Sequence, residues 1–394
     1  MKALEFSRQP ARYAAAMIAG ALRPGTGAAV GPLRLRDLDE PEAPAEGWVT
    51  LRPRLAGICG SDLSTIDGHS SRYFEPIVSF PFVLGHEVVG ELDDGSRAVL
   101  IPVLHCEIRG ITPACPGCAA GDVNRCERIA FGHLEPGLQT GFCESTGGGW
   151  SEAMVAHPAQ LVPVPDELSD EAAVMVEPTA CAVHAADAAV RARDTSSGAG
   201  DGPVVVIGAG TLGLLTIAAL PDGLPIITGA KYAHQKRLAT ELGATTVVSP
   251  DELNGAVRLA TRSMKLGADH AAGQLTGGAP VVVDCVGSEA SLAQALEVVA
   301  PGGTILVVGM PATVSLDLTG LWHREVALRG VYAYRREDFD DALQLVSRKD
   351  LGRLVSATYP LSRYEDAIVH AADAGRRGAV KVAFDLRKTS ERKP

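Results

Sequence analysis

A chain of 394 residues is too long for one compact core and implies two domains of about 100–200 residues each. Its composition, 46% hydrophobic and 21% charged, is that of a globular protein, and a net charge of −11 without a basic run excludes broad nucleic-acid binding. No apolar run reaches the about 18 residues that a membrane span needs. Eight cysteines in so long a chain do not make a disulfide scaffold and point to metal binding in a reducing cytoplasm.

Lys2-Ala3-Leu4-Glu5-Phe6 reads as a first strand, Tyr13–Leu22 as a short helix or loop, and Pro24–Pro32 as a loop. Lys2, Arg8 and Arg12 ahead of apolar Ala14–Ala21 loosely mimic a secretion signal, but the strand is the stronger reading. Short apolar runs such as Trp48–Leu51, Val88–Leu92 and Ala98–Val103 then describe an irregular, mostly β domain over residues 1–179. Ser169 is a candidate N-cap, a helix follows at about Thr179–Val190, and Asp194–Pro203 is a surface loop by composition.

Within this half, Gly57-Ile58-Cys59-Gly60-Ser61-Asp62, Gly85-His86-Glu87 and Glu177-Pro178 each carry a metal-binding group. One thiolate, one imidazole and one or two carboxylates from separate segments form the ligand set of a catalytic zinc with an open position. Alone, Cys59 would be an ordinary buried thiol. Cys115, Cys118 and Cys126 lie within twelve positions, a spacing that suits a closed structural zinc site in a lobe at about 104–128. Cys106 is the first candidate for its fourth ligand and Cys143 the second. Tyr73, Phe74 and Phe80 either wall a substrate pocket or belong to the core.

From 204 the pattern alternates buried strands with helices, which predicts a parallel sheet covered on both faces over residues 180–334. Expected strands are Val204–Ile207, Pro225–Thr228, Thr246–Val248, Val281–Asp284, Thr304–Val308 and Val326–Val331, with helices at Leu212–Leu220, Ala233–Leu242 and Ser291–Val299. Gly208-Ala209-Gly210-Thr211-Leu212-Gly213 follows a strand and opens a helix, the context that a dinucleotide fingerprint requires. The helix N-terminus then faces the pyrophosphate. An NAD site usually places Asp or Glu about 20 residues on, to hold the ribose 2′-hydroxyl. Here Thr228, Lys231, Tyr232, Lys236 and Arg237 occupy that stretch without an acid, which favours NADP(H), although the cations could simply solvate a helix face. Helices Asp338–Val346 and Tyr364–Ala372 and a strand Val380–Phe384 complete residues 335–394.

Together these motifs, with Leu242-Gly243-Ala244, Val283-Asp284-Cys285-Val286-Gly287 and Pro301-Gly302-Gly303, resemble the zinc-containing medium-chain dehydrogenases/reductases, the alcohol, polyol and glucose dehydrogenase superfamily. The resemblance runs nearly end to end. It implies an α/β protein: a GroES-like, mostly β catalytic domain, interrupted by a Rossmann doubly wound domain and completed by the C-terminal segment. It further implies one catalytic zinc on Cys59, His86, Glu87 and Glu177, with Ser61 bonding the substrate oxygen. Val286, Val308 and the backbone of Val331 and Ala333 would line the nicotinamide, and Lys381 would meet the pyrophosphate. A homodimer or homotetramer pairing through Val326–Val331 is inherited the same way.

Three departures from the family stand out. Thr112 occupies the usual first structural cysteine, Ser64 replaces the relay histidine, and Pro10–Pro32 is extra. Protons would then leave by Ser64, His69, the cofactor ribose or water. The expected activity is reversible hydride transfer between NADP(H) and a secondary alcohol, with a polyol, sugar or other hydroxylated metabolite as the small-molecule substrate. The alternatives are an NADPH-dependent reductase of an activated double bond or a specialised carbonyl, and, more remotely, a non-catalytic NADPH-binding protein.

Overall fold

The computed structural model describes residues 1–195, 202–268, 271–310 and 313–387; the loop expected at Asp194–Pro203 lies largely outside these. The chain forms two compact units, Met1–Glu177 with Tyr334–Pro394, and Pro178–Ala333. Among the described residues, no helix is long and apolar enough to cross a membrane.

The first unit is mostly β. Its larger sheet, among the described residues, runs in the order Val355–Tyr359, Lys381–Asp385, Val49–Gly57, Val88–Glu91, Arg97–Leu100, Leu161–Pro163, with Met154–Ala156 pairing the start of Val49–Gly57. All neighbours are antiparallel except Val355–Tyr359 beside Lys381–Asp385. Ala383 lies opposite Gly57, so the last strand supports the residues that lead into Cys59. Lys2–Phe6 is the middle strand of a second, three-stranded antiparallel sheet, between Leu33–Asp37 and Phe82–Val83. Leu51, Ala56, Val88, Trp150 and Phe384 share its core with Leu4 and Phe82.

The segment expected as a short helix or loop and then a loop is more ordered than its sequence suggests. A helix spans Pro10–Leu22, and Gly27–Val30 forms a further helical turn inside the expected loop. Pro10 occupies the first helical position, where its missing N–H costs nothing. The buried carboxylate of Asp67 accepts from the amides of Gly25 at 2.7 Å and Gly27 at 3.0 Å. That partner is too distant in sequence for local propensity to reveal.

Ser169 caps a one-turn helix, Asp170–Ala173, its hydroxyl accepting from the Ala172 amide at 3.2 Å. The following helix spans Val176–Thr195, so Glu177 sits in its first turn. Asp170 gathers three guanidiniums: Arg54 at 3.0 Å, Arg97 at 2.9 Å and Arg387 at 3.5 Å. It thereby ties two strands and the end of the described chain to that helix start.

The second unit contains a parallel sheet, in the order Thr246–Val248, Ile226–Gly229, Val204–Ile207, Ala279–Asp284, Val299–Val307, Ala327–Gly330. This is the doubly wound order of a dinucleotide-binding fold. Helices Thr211–Ala219, Ala233–Leu242 and Glu289–Val298 fall within a residue or two of their expected positions. Leu253–Ala260 and the antiparallel pair Lys265–Ala268 with Ala271–Leu275 were not anticipated. Gly255 interrupts the helical pattern of the first, though Leu253 and Val257 bury its apolar side.

Replacing Asp170 with Ala removes the carboxylate that three arginines share, leaving Arg54 to Glu91, Arg97 to the carbonyls of Pro165 and Asp166, and Arg387 to Asp385 and Glu171, and is expected to lower the unfolding free energy by about 3 kcal/mol. Urea unfolding of the variant measures this. A loss under about 1 kcal/mol would make the cluster no stronger than surface ion pairs.

Candidate active site

One group of metal-binding side chains closes up in the first unit, and Cys59, His86 and Glu177 form a looser set that does not reach its spacing. The sulfurs of Cys106, Cys115, Cys118 and Cys126 lie within 4.8 Å of one another, the one such group among the described residues. Cys106 and Cys126 are 3.7 Å apart. Backbone amides point at the sulfurs: Cys115 N at Cys106, Glu127 N at Cys115 and Arg128 N at Cys126, at 3.4, 3.5 and 3.4 Å. Burial opposes ionisation of Cys115, but the amides of Cys118 and Glu127 outweigh it and bring its pKa down to about 6. Four thiols turned inward, one already poised to ionise, suit a closed tetrahedral zinc. Cys106 thus completes the cluster. Cys143 lies elsewhere, its thiol directed at the Glu135 carbonyl at 3.4 Å in an apolar cluster with Trp48 and Leu134.

Arg109, fully buried, braces the lobe. Its guanidinium donates to the carbonyls of Leu104, Phe131, Leu134, Glu135 and Gly137 at 2.7–3.3 Å. A guanidinium satisfied by carbonyls keeps its full charge, and Cys106 and Cys126 lie within its field.

The second group begins at Cys59, which precedes helix Gly60–Ile66. Asp62, three residues on, accepts from the Cys59 amide at 2.9 Å and places its other oxygen 3.4 Å from His86 Nδ1. Asp62 therefore orients both the thiol and the imidazole, a supporting contact typical of metal-bound histidine. Trp150 donates to the Gly57 carbonyl at 3.1 Å, and a Cβ on Gly85, at φ +99°, would overlap its indole. Burial disfavours a charged His86, yet Asp62 and then Cys59 raise its pKa well above 6.5. Burial also pushes Glu177 up to about 7, with His86 and Lys381 pulling it down and Glu87 pushing it further up. Tyr334, buried where the chain re-enters this unit, bonds the Glu177 carboxyl. A thiol, an imidazole and a carboxyl of this kind are the donor types of a catalytic zinc, and Cys59, His86 and Glu177 would hold one, His86 interacting with both of the others.

Two expected roles are corrected here. The Glu87 carboxylate is ion-paired with Lys381, and both are buried, although its charge still acts on Glu177. Lys381 also donates to the Ile58 carbonyl at 3.2 Å, so its ammonium is spent in the catalytic unit rather than offered to a pyrophosphate. A Cβ on Gly57 would overlap the Glu87 carboxylate, which is why glycine stands there. The Ser61 hydroxyl makes no hydrogen bond among the described residues, and Ser61 is half-buried. Phe80, partly buried, packs at a tilt on Phe6 and Phe82 of the core, while Tyr73 is 77% exposed and Phe74 packs on it edge to face.

In the second unit the expected cofactor residues gather at the carboxyl ends of the parallel strands. Gly208 has φ +96°, Gly210 precedes helix Thr211–Ala219, and a Cβ on Gly213 would overlap the Gly208 carbonyl. Ala209, Thr211 and Leu212 complete that turn. Val286, Val308, Val331 and Ala333 follow the next three strands; Val308 and Val331 donate backbone bonds to Asp284 and Val307, and Ala333 has φ +50°. Asp284 anchors this edge: it accepts from the amides of Val286 at 2.9 Å and Gly287 at 3.2 Å and from the Ser291 hydroxyl at 2.9 Å. Thr228 differs from expectation. It is buried, and its hydroxyl donates to the Val206 carbonyl at 2.8 Å inside the sheet. Lys236 donates to Ser249 at 2.7 Å and Arg237 pairs with Glu241 at 3.5 Å, whereas Lys231 is exposed beside the Tyr232 ring. Asp62, Tyr334 and Asp284 were not given supporting roles; Asp62 and Asp284 stood inside motifs, the Cys59 hexapeptide and Val283–Gly287, whereas Tyr334 carried no local signal.

A dinucleotide fold joined to a mostly β unit that carries a four-cysteine group defines a zinc-dependent, alcohol-type dehydrogenase. Residues 45–166 match the alcohol dehydrogenase GroES-like domain and 211–348 the zinc-binding dehydrogenase domain. The chain is 30% identical over 352 residues to a putative D-xylulose reductase of Agrobacterium fabrum, covering 86% of this chain and 91% of that protein. It is 27% identical over 365 residues to a sorbitol dehydrogenase of Halalkalibacterium halodurans, covering 89% and 95%. A putative zinc-binding dehydrogenase of Sinorhizobium meliloti, solved with NADP, shares the fold at a TM-score of 0.68 and 24% identity, covering 90% and 96%. The chain belongs to the zinc-containing medium-chain dehydrogenase superfamily.

Changing Cys106 to Ser is expected to remove about one zinc equivalent per chain by atomic emission, whereas Cys143→Ser leaves the metal content unchanged. In the metal-free protein Glu177 binds its proton more tightly folded than unfolded, between its ordinary 4.5 and about 7. Metal-free stability should therefore fall as pH rises through that interval, and Glu177→Gln should remove this component of the slope, as read from urea unfolding at stepped pH.

Proposed function

We propose that the chain interconverts a secondary alcohol and its ketone on a polyol- or sugar-like metabolite, with NADP(H) as the hydride carrier. The observation that carries this reading is buried His86, which interacts with the Cys59 thiol on one hand and the buried Glu177 carboxyl on the other. The relatives named for sorbitol and D-xylulose support the hydroxylated substrate class. A zinc ion held by these three residues would supply Lewis-acid polarisation of a substrate oxygen. Asp62 fixes Cys59 and His86, and the Glu87–Lys381 pair keeps a second carboxylate out of the donor set. The unengaged Ser61 hydroxyl holds the substrate proton and passes it outward, by way of half-buried Ser64 and exposed His69 or of water. The four-cysteine lobe holds a second, structural zinc. The NADP(H) preference rests on the acid-free stretch after Ile226–Gly229 and on exposed Lys231. We further infer a cytoplasmic homodimer or homotetramer that pairs through the exposed edge strand Ala327–Gly330.

Nicotinamide absorbance during turnover of a polyol and sugar panel tests this reading. Oxidation abolished by chelation, and by Cys59→Ala, supports it. Carbonyl reduction that survives Cys59→Ala would overturn the Lewis-acid role, and turnover of activated alkenes alone would favour a double-bond reductase. Lys231→Ala should raise KM for NADP⁺ by about 10- to 100-fold and leave that for NAD⁺ nearly unchanged, since a hydrogen bond to a charged group contributes about 1.5–3 kcal/mol. Equal KM values for the two cofactors in the unaltered protein would remove the preference.

A further inference from the structure

Residues 10–32 enter neither metal group and do not belong to the dinucleotide unit. Their turn packs on helix Tyr364–Ala372 so closely that a Cβ at Gly25, φ +85°, would come within 2.9 Å of the Val369 Cα and 3.0 Å of the Ala372 Cβ. Asp67 locks the turn in place through the amides of Gly25 and Gly27. Between turn and helix lies a cavity of about 360 Å³, within the range of small-ligand sites.

Arg23, Arg363 and Arg377 line it, from the end of helix Pro10–Leu22 and from both sides of the C-terminal helix. The facing carboxylates are Glu365 and Asp366. Asp366 takes Arg363 at 2.9 Å and Glu365 accepts from the Tyr364 hydroxyl at 3.1 Å, while Asp373 reaches Arg377 only at 3.9 Å. Arg23 has no carboxylate partner among the described residues. Arg363 lies over the Tyr359 ring at 5.3 Å, and the Tyr359 hydroxyl is held by His370 Nδ1 at 2.9 Å. A concave surface with more guanidiniums than carboxylates, in a chain of net charge −11, is a local reversal of sign. Guanidiniums recognise phosphate oxygens through paired N–H donors.

We propose that this cavity binds a small phosphorylated anion, inorganic phosphate or a soluble phosphomonoester, at a site that shares no residue with the zinc and dinucleotide groups. Arg23 supplies a guanidinium without a carboxylate partner among the described residues, Arg377 the donors that its 3.9 Å pair with Asp373 leaves over, and Arg363, held by Asp366 over the Tyr359 ring, the rim between them.

The test is calorimetric titration of the full-length, zinc-loaded, dinucleotide-free protein with inorganic phosphate and with glycerol 3-phosphate, at ionic strength held constant with chloride. Saturable binding is expected, weakened about tenfold or more in Arg23→Ala and in Arg377→Ala and lost in the double variant. Unchanged alcohol oxidation and thermal midpoint would show that these variants fold. Asp67→Ala, which keeps all three arginines but frees the turn, should also weaken binding. Absence of saturable binding, or equal binding by the double variant, overturns the proposal. So does co-sedimentation with phosphatidate vesicles without binding of either soluble anion, because the phosphate recognised would then be a lipid headgroup.

Discussion

The buried ion pair between Lys381 and Glu87 is the contact on which the catalytic unit depends. Both groups are at most 3% exposed in their side chains, and Lys381 donates its remaining reach to the Ile58 carbonyl next to Cys59. A charge buried at this depth is tolerated only with its partner, and removing one member leaves an uncompensated charge at a cost of about 3–5 kcal/mol. The pair therefore fixes three segments far apart in sequence: the strand Val49–Gly57, the turn Gly85–Glu87 and the strand Lys381–Asp385. Gly57 is the steric condition for it.

That pairing also decides which negative charge is left over. With Glu87 paired to Lys381 and Asp62 held against His86 and the Cys59 amide, the carboxyl left over is Glu177, buried and interacting with His86. Burial raises the proton affinity of Glu177, and Asp62 and Cys59 raise that of His86 against the opposing pull of burial. Metal binding and proton binding then compete for the same donors, because a ligand must give up its proton to coordinate.

Much of this was legible in the sequence. Strand alternation and the Gly208–Gly213 fingerprint disclosed the parallel sheet because both signals are local and periodic. Cys59, His86 and the Cys115–Cys118–Cys126 run were legible because metal ligands are few in type and constrained in spacing. What stayed hidden depends on partners distant in the chain. Lys381 looked like a phosphate contact until Glu87 was seen beside it. Thr228 looked like a ribose contact, but its hydroxyl satisfies a carbonyl of the neighbouring strand. The turn at Gly25–Gly27 looked like a plain loop because Asp67, which orders it, lies some 40 residues on.

The two metal groups differ in a way that bears on their roles. Four sulfurs brought within 4.8 Å saturate a tetrahedral ion and leave no position for a substrate. The lobe can then only hold the fold, and Arg109, with a buried positive charge and carbonyl partners on three sides of the loop, opposes the excess negative charge that four thiolates would concentrate. Cys59, His86 and Glu177 are three donors of mixed charge and reach, and once Glu87 is withdrawn they cannot close a tetrahedron by themselves. An ion held there would keep a position for a substrate oxygen, and the lysine that pairs with Glu87 would be the reason.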